Sequence, residues 1–113
     1  VCLDAKGRVL VGDRENDRVQ VFDADGKFLA QWRDSGAPFG LFPAGDRLFV
    51  ADGRGGVVRV LDAGGKPVGR WGEKGTKPGQ FQMPHMLCVD SRGDVYVAEV
   101  TNKRVQKFTA KKE

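Results

Sequence analysis

Asp94-Val95-Tyr96-Val97-Ala98-Glu99 says for the third time what Arg8-Val9-Leu10-Val11-Gly12-Asp13 and Arg47-Leu48-Phe49-Val50-Ala51-Asp52 have said before it. Each is a short, alternating apolar run that finishes on a carboxylate, the pattern of a half-buried strand. The terminal acids fall 39 and then 47 residues apart. Their surroundings recur with them. Val1-Cys2-Leu3-Asp4 returns as Leu87-Cys88-Val89-Asp90, and Arg18-Val19-Gln20-Val21-Phe22 has counterparts in Val57-Val58-Arg59-Val60-Leu61 and Arg104-Val105-Gln106-Lys107-Phe108. A period in the forties made of short strands predicts a β-propeller with one four-stranded blade per repeat. Three repeats, the first and last clipped, do not close a ring.

Turn residues divide each repeat into strands. Asp4-Ala5-Lys6-Gly7, Asp23-Ala24-Asp25-Gly26, Asp62-Ala63-Gly64-Gly65 and Asp90-Ser91-Arg92-Gly93 share an Asp-x-x-Gly form. It suits a type I turn with the Asp side chain capping backbone donors and Gly in the left-handed position. Strands are predicted near 1–4, 8–13, 18–23 and 28–32, then 39–43, 47–52, 57–62 and 67–71, then 85–90, 95–100 and 104–109. The expected architecture is all-β: eleven strands, no helix, about 2.5–3 blades at roughly 1–32, 39–71 and 85–109, half of a six-bladed ring. With two edges open, a second copy of the chain or the missing blades of the propeller is the expected partner.

Composition agrees and excludes several classes. Sixteen glycines in 113 residues fit a hairpin turn every dozen residues, and 40% apolar residues suffice for a core. No apolar run approaches the ~20 residues needed to span a bilayer as a helix. Val1 falls inside a strand, so the sequence reads as a piece of something longer and carries no information about a leader. The net charge of +4 is mild, with Lys103, Arg104, Lys107, Lys111 and Lys112 gathered near the C-terminus. No aromatic residue follows Phe108 among these bases, which argues against a nucleic-acid face. Cys2 and Cys88 hold the same position two repeats apart, too distant to bridge, and are expected as buried free thiols. Trp32 and Trp71, 39 residues apart, are expected to pack between blades.

Antiparallel pairing of the first two strands puts the start of one beside the end of the other. His85, Asp13, Asp52 and Glu99 should therefore gather at one mouth of the central channel, where propellers place ligands. The acids recur, which marks them as structural caps. Arg14 does not recur, since Gly53 and Val100 take its place, and that marks it as functional.

The repeat resembles the NHL repeat in Gly79-Gln80-Phe81-Gln82-Met83-Pro84, Val95-Tyr96-Val97-Ala98-Glu99 and Asn102-Lys103-Arg104-Val105-Gln106-Lys107-Phe108. Two stretches are also similar to an enzyme family on that fold, peptidyl-α-hydroxyglycine α-amidating lyase. These are Phe81-Gln82-Met83-Pro84-His85 and Leu10-Val11-Gly12-Asp13-Arg14-Glu15-Asn16-Asp17-Arg18. The resemblance implies a zinc-dependent C–N cleavage that turns a peptide substrate into its amide and glyoxylate. It implies His85 as one of three zinc ligands, Met83 beside the site, and Arg14 as a substrate contact. Phe39-Gly40-Leu41-Phe42-Pro43-Ala44-Gly45 fits a family blade without a zinc ligand.

The departures limit this. The second ligand His would lie just upstream of Val1, and the third belongs to blades outside the sequence, so zinc binding by this chain is expected to be weak or absent. The chain itself is expected to be inactive. Calcium is not expected, because Met86 stands where the family places a calcium-binding Asp. The resemblance is compatible with an extracytoplasmic compartment and leaves the compartment open. The alternative reading is a non-catalytic NHL module that binds protein or RNA, or a self-assembling scaffold.

Overall fold

The computed structural model describes residues 1–110 as eleven strands in three antiparallel sheets. Blade 1 contains β1 (Cys2–Leu3), β2 (Val9–Asp13), β3 (Arg18–Phe22) and β4 (Phe28–Trp32). Blade 2 contains β5 (Pro38–Ala44), β6 (Arg47–Asp52), β7 (Val57–Leu61) and β8 (Pro67–Trp71). Blade 3 contains β9 (Pro84–Val89), β10 (Val95–Glu99) and β11 (Arg104–Phe108), with no fourth strand among the described residues. Each sheet is a meander in chain order. A single 3-10 turn, Arg14–Asn16, is the one departure from strands and loops among the described residues.

The Asp-x-x-Gly turns form as their chemistry dictates. Asp4 Oδ1 accepts from the backbone N–H groups of Lys6 and Arg8 at 3.0 and 2.9 Å, while Gly7 takes φ +77°. Asp23, Asp62 and Asp90 repeat the arrangement on their own loops. These turns set the register, and the register decides which side chains face which neighbour. Leu10, Phe49 and Tyr96 hold equivalent places, as do Val9, Leu48 and Val95. Every blade therefore has a forward face, turned toward the following blade, and a backward face.

Apolar side chains are buried between blades. Leu10, Val19, Val21 and Trp32 from the forward face of blade 1 pack on Leu48, Val50 and Leu61 from the backward face of blade 2. Ala51 and Val58, with Phe42, Phe49 and Trp71 beside them, meet Phe81, Leu87, Val95 and Val97 of blade 3. Two cores between three sheets is the packing of a propeller segment. Trp32 lies over Gly65, while Arg8 sits 5.6 Å over its ring and donates to the Ala63 carbonyl at 2.8 Å. Trp71 meets Phe49 and Phe108 edge-on. Both tryptophans pack between blades, as their recurrence indicates.

The cysteines differ from expectation. Both are free, but Cys2 is only half-buried and Cys88 is exposed. Register supplies the reason. Both point from the forward face of their blade, where Cys2 packs beside the first core and Cys88 has no blade in front of it. Desolvation raises the Cys2 thiol pKa above its ordinary value.

Candidate functional site at the channel mouth

The acids that end β2, β6 and β10 are structural, as their recurrence suggested, but they do not line the mouth together. Asp52 and Glu99 turn inward and are buried, 3% and 0% exposed at the side chain, while Asp13 is 24% exposed. Each meets an arginine. Arg18 reaches Asp13 at 2.9 Å and Arg104 reaches Glu99 at 2.6 Å from the same place at the start of the third strand. Blade 2 has Val57 there, and Arg59, two residues later on the same face, makes the bond to Asp52 at 3.0 Å.

The buried acids also clasp the segment that leads into their own blade. Asp52 Oδ1 accepts from Ala37 N–H at 3.1 Å and Gly55 N–H at 2.8 Å. Glu99 accepts from Gln82 N–H, the Asn102 and Gln106 amides and Arg104. Asp13 holds only Arg18 and Asn16 among the described residues. Removing charged oxygens from water is costly unless each lone pair is met, and these sets of donors meet them.

That bonding sets an acid limit. At Asp13 and Asp62, hydrogen bonds to the ionised form lower the pKa, from Arg18 and Asn16 in one case and from backbone N–H groups in the other. At Asp4, Asp90 and Glu99, burial pushes the pKa up, but hydrogen bonds from Arg8, from the Asp90 turn and Tyr96, and from Arg104 and Asn102 outweigh it. A carboxylate with a depressed folded pKa stabilises the fold fully above its unfolded value, about 3.9 for Asp and 4.3 for Glu. Protonation removes that stabilisation as pH falls through the folded values. The urea midpoint should therefore change little between pH 7 and 5 from these groups and drop steeply below about pH 4. A midpoint that holds at pH 3 would show that these bonds do not contribute as described.

Phe39 is the centre of a cluster that spans the three blades. It is the second residue of β5, at the bulge where His85 stands in β9, and the two rings meet edge-on at 5.5 Å. Its ring covers Gly53, where any Cβ would strike the aromatic carbons. The Arg14 guanidinium lies 4.5 Å from the ring centroid and that of Arg54 5.9 Å. Glu15 ties the two arginines, reaching Arg14 Nε at 3.3 Å and Arg54 Nη2 at 3.1 Å. Arg54 further donates to the Arg14 carbonyl at 2.8 Å and pairs with Asp17 at 3.3 Å. Three blades thus contribute to one cluster: Arg14 from the first, Phe39 and Arg54 from the second, His85 from the third.

The structure therefore brings Arg14 and His85 against one ring. Met83 stands two residues before His85 at φ +55°, 39% exposed, with its carbonyl accepting from Val100 N–H at 3.1 Å. Glu15 and Phe39 lie within stretches that resemble the family but carry no assigned role there, and no motif includes Arg54. One signal for Phe39 is present in the sequence, its repeat equivalence with His85. Among the described residues no group of three or more His, Cys, Asp and Glu is placed to hold a metal ion. A catalytic zinc needs three protein ligands and an open position, so the residues present do not fit a complete zinc site.

The NHL repeat family matches residues 1–22 and 81–108. NHL repeat-containing protein 3 of Homo sapiens is 39% identical over 117 residues, covering 96% of this chain and 34% of that protein. Protein lin-41 of Caenorhabditis elegans is 55% identical over 31 residues, 27% of this chain and 3% of that protein. The chain thus spans about a third, or far less, of these relatives. Among solved structures, Kuenenia stuttgartiensis hydrazine synthase superposes with a TM-score of 0.77 at 16% identity, over 95% of this chain and 31% of that one. A streptogramin B lyase superposes at 0.70 with 13% identity, over 98% and 40%. At such identities the likeness concerns the fold. The chain folds as β-propeller blades, and its first and third blades match the NHL repeat.

Proposed function

We propose that this segment supplies the ligand-binding mouth of an NHL propeller and uses Arg14 to hold a carboxylate, as at the C-terminus of a peptide. The carrying observation is the way Arg14 is held. Its guanidinium stacks on Phe39 at 4.5 Å and Glu15 takes Nε, while neither Nη atom has a protein partner among the described residues. A guanidinium fixed on an aromatic face with free terminal donors is pre-organised for a carboxylate.

The finer reading is that the complete ring is a C–N lyase of the amidating type, with His85 as one zinc ligand. His85 beside the same ring as Arg14 supports it, and lyases do occur on this fold, as in the streptogramin B enzyme. The chain offers one such donor, so no chemical step is assigned to it. A non-catalytic module that presents the mouth to a protein or RNA fits the NHL-repeat relatives equally well.

The test is calorimetric titration with N-acetyl-dipeptides bearing either a free C-terminal carboxylate or its amide. The free acid should bind about tenfold better or more, from one charge-assisted contact, and Arg14→Ala should erase the difference. Equal binding of acid and amide would overturn the assignment. Zinc titration tests the ligand count of this chain. No zinc binding below micromolar concentrations is expected for the segment, and tight binding lost in His85→Ala would reveal ligands beyond those described.

A further inference from the structure

The loops that join the second and third strands recur like the strands themselves. They run over 14–17, 53–56 and 100–103, and each closes on a residue in the left-handed region: Asp17 at φ 52°, Gly56 at 68° and Lys103 at 53°. Register makes Arg14, Gly53 and Val100 equivalent, and after them Glu15, Arg54 and Thr101. At the first of these places Gly53 has no side chain, and the Phe39 ring lies where its Cβ would stand. Arg14 of the neighbouring blade stacks on that ring. At the second place Glu15 and Arg54 carry opposite charges and meet across the boundary between blades 1 and 2 at 3.1 Å. Thr101 of blade 3 is uncharged, so no such ion pair forms at the next boundary.

The Arg14 loop has little of its own to hold it. No residue of its 3-10 turn is buried, and Asp13 gives the turn no side-chain cap. The Asp17 N–H reaches the Arg14 carbonyl only at 3.3 Å. Arg54 supplies the hold. Its Nη1 donates to that same carbonyl at 2.8 Å and pairs with Asp17 at 3.3 Å, while Nη2 reaches Glu15. Arg33 Nη1 adds a longer bond to the Asn16 carbonyl at 3.3 Å.

We propose that Arg54 is a positioning residue: from blade 2 it latches the 14–17 loop of blade 1 and so keeps Arg14 stacked on Phe39, ready for an anion. Its value to a ligand rests on the carboxylate reading of Arg14; the latch itself rests on the loop geometry. A loose arginine spends part of each new contact on ordering its own side chain, and a held one does not. Glu15 and Asp17 balance the charges of Arg14 and Arg54, so the latch acts through geometry and adds no net positive charge to the site. Lysine would keep the charge of Arg54, but a single ammonium on a flexible stem does not span partners that a planar guanidinium grips together. Arg54 is about half exposed, so its ion pairs contribute little to the stability of the fold as a whole.

The test pairs the acid and amide titrations with NMR relaxation of the Arg14 Nε–H group, in the wild type, Arg54→Ala and Arg54→Lys. Arg54→Ala should weaken binding of the N-acetyl-dipeptide acid at least about threefold, leave the amide unchanged and mobilise the Arg14 Nε–H on the ps–ns timescale. Arg54→Lys should behave as Arg54→Ala does. Both should keep the circular dichroism spectrum and urea midpoint of the wild type. Where the wild type prefers the acid, an unchanged acid affinity in Arg54→Ala overturns the proposal. So does restoration by lysine, which would mean that charge alone suffices. Equal weakening of acid and amide overturns it too, because a general loss of structure would explain it. Equal binding of acid and amide by the wild type brings down the carboxylate reading alone. Mobilisation of Arg14 in Arg54→Ala then still supports the latch, and an Arg14 that stays ordered overturns it.

Discussion

Replacing Phe81 with alanine is expected to cost about 3–5 kcal/mol, a large part of the stability of a domain this size. Phe81 is the largest fully buried side chain among the described residues. It belongs to the segment leading into blade 3, yet its ring sits in the second core with Ala51 and Val58 of blade 2 and Leu87 and Val97 of blade 3. Its ring meets Phe108 at 5.6 Å, and its backbone is held on both sides, N–H to the Glu73 carbonyl at 2.8 Å and carbonyl to Gly75 N–H at 3.1 Å. The held backbone cannot move inward to fill the space a truncated side chain leaves. Urea unfolding followed by circular dichroism measures the loss. A cost below about 1 kcal/mol would mean that the two blades hold together without the ring between them.

Glu99→Ala is the second large effect, again about 3–5 kcal/mol, because it strips a buried charge from a partner that stays behind. Arg104 would keep its bonds to the carbonyls of Thr76, Lys77 and Gln80 but lose its counter-charge, and Gln82 N–H would lose its acceptor. Asp13→Ala removes the repeat equivalent, which is more exposed and clasps no lead-in segment among the described residues, so a much smaller loss is expected. The contrast is the measurement. Equal costs at the two positions would show that burial does not set the value of these acids.

These residues also show what the sequence makes legible. The three strand-ending acids announce the repeat, and the repeat announces the fold, because an alternating strand and an Asp-x-x-Gly turn are encoded within a few neighbouring residues. Exposure is not encoded that way. Cys2 and Cys88 sit in near-identical strands, and only the presence of a blade in front of one of them separates their environments. The acid–arginine pair was partly hidden in blade 2, where the arginine moves from the place of Val57 to Arg59. The contact survives the shift because both positions project from one face of the strand. The site followed a similar course. Arg14 and His85 stand out by motif, but Phe39, which both meet, emerges only when three blades are arranged around the channel. Its aromatic ring draws no notice beside a histidine until the two are seen to occupy one position.

Within β6, Val50 belongs to the first core and its neighbour Ala51 to the second. One strand therefore gives opposite sides to two interfaces, and blade 2 is the keystone of the segment. Either outer blade can loosen at the cost of a single interface, whereas the middle one cannot open without breaking both. The molecule should come apart from its ends, and assemble by each outer blade docking on a template already formed at the centre.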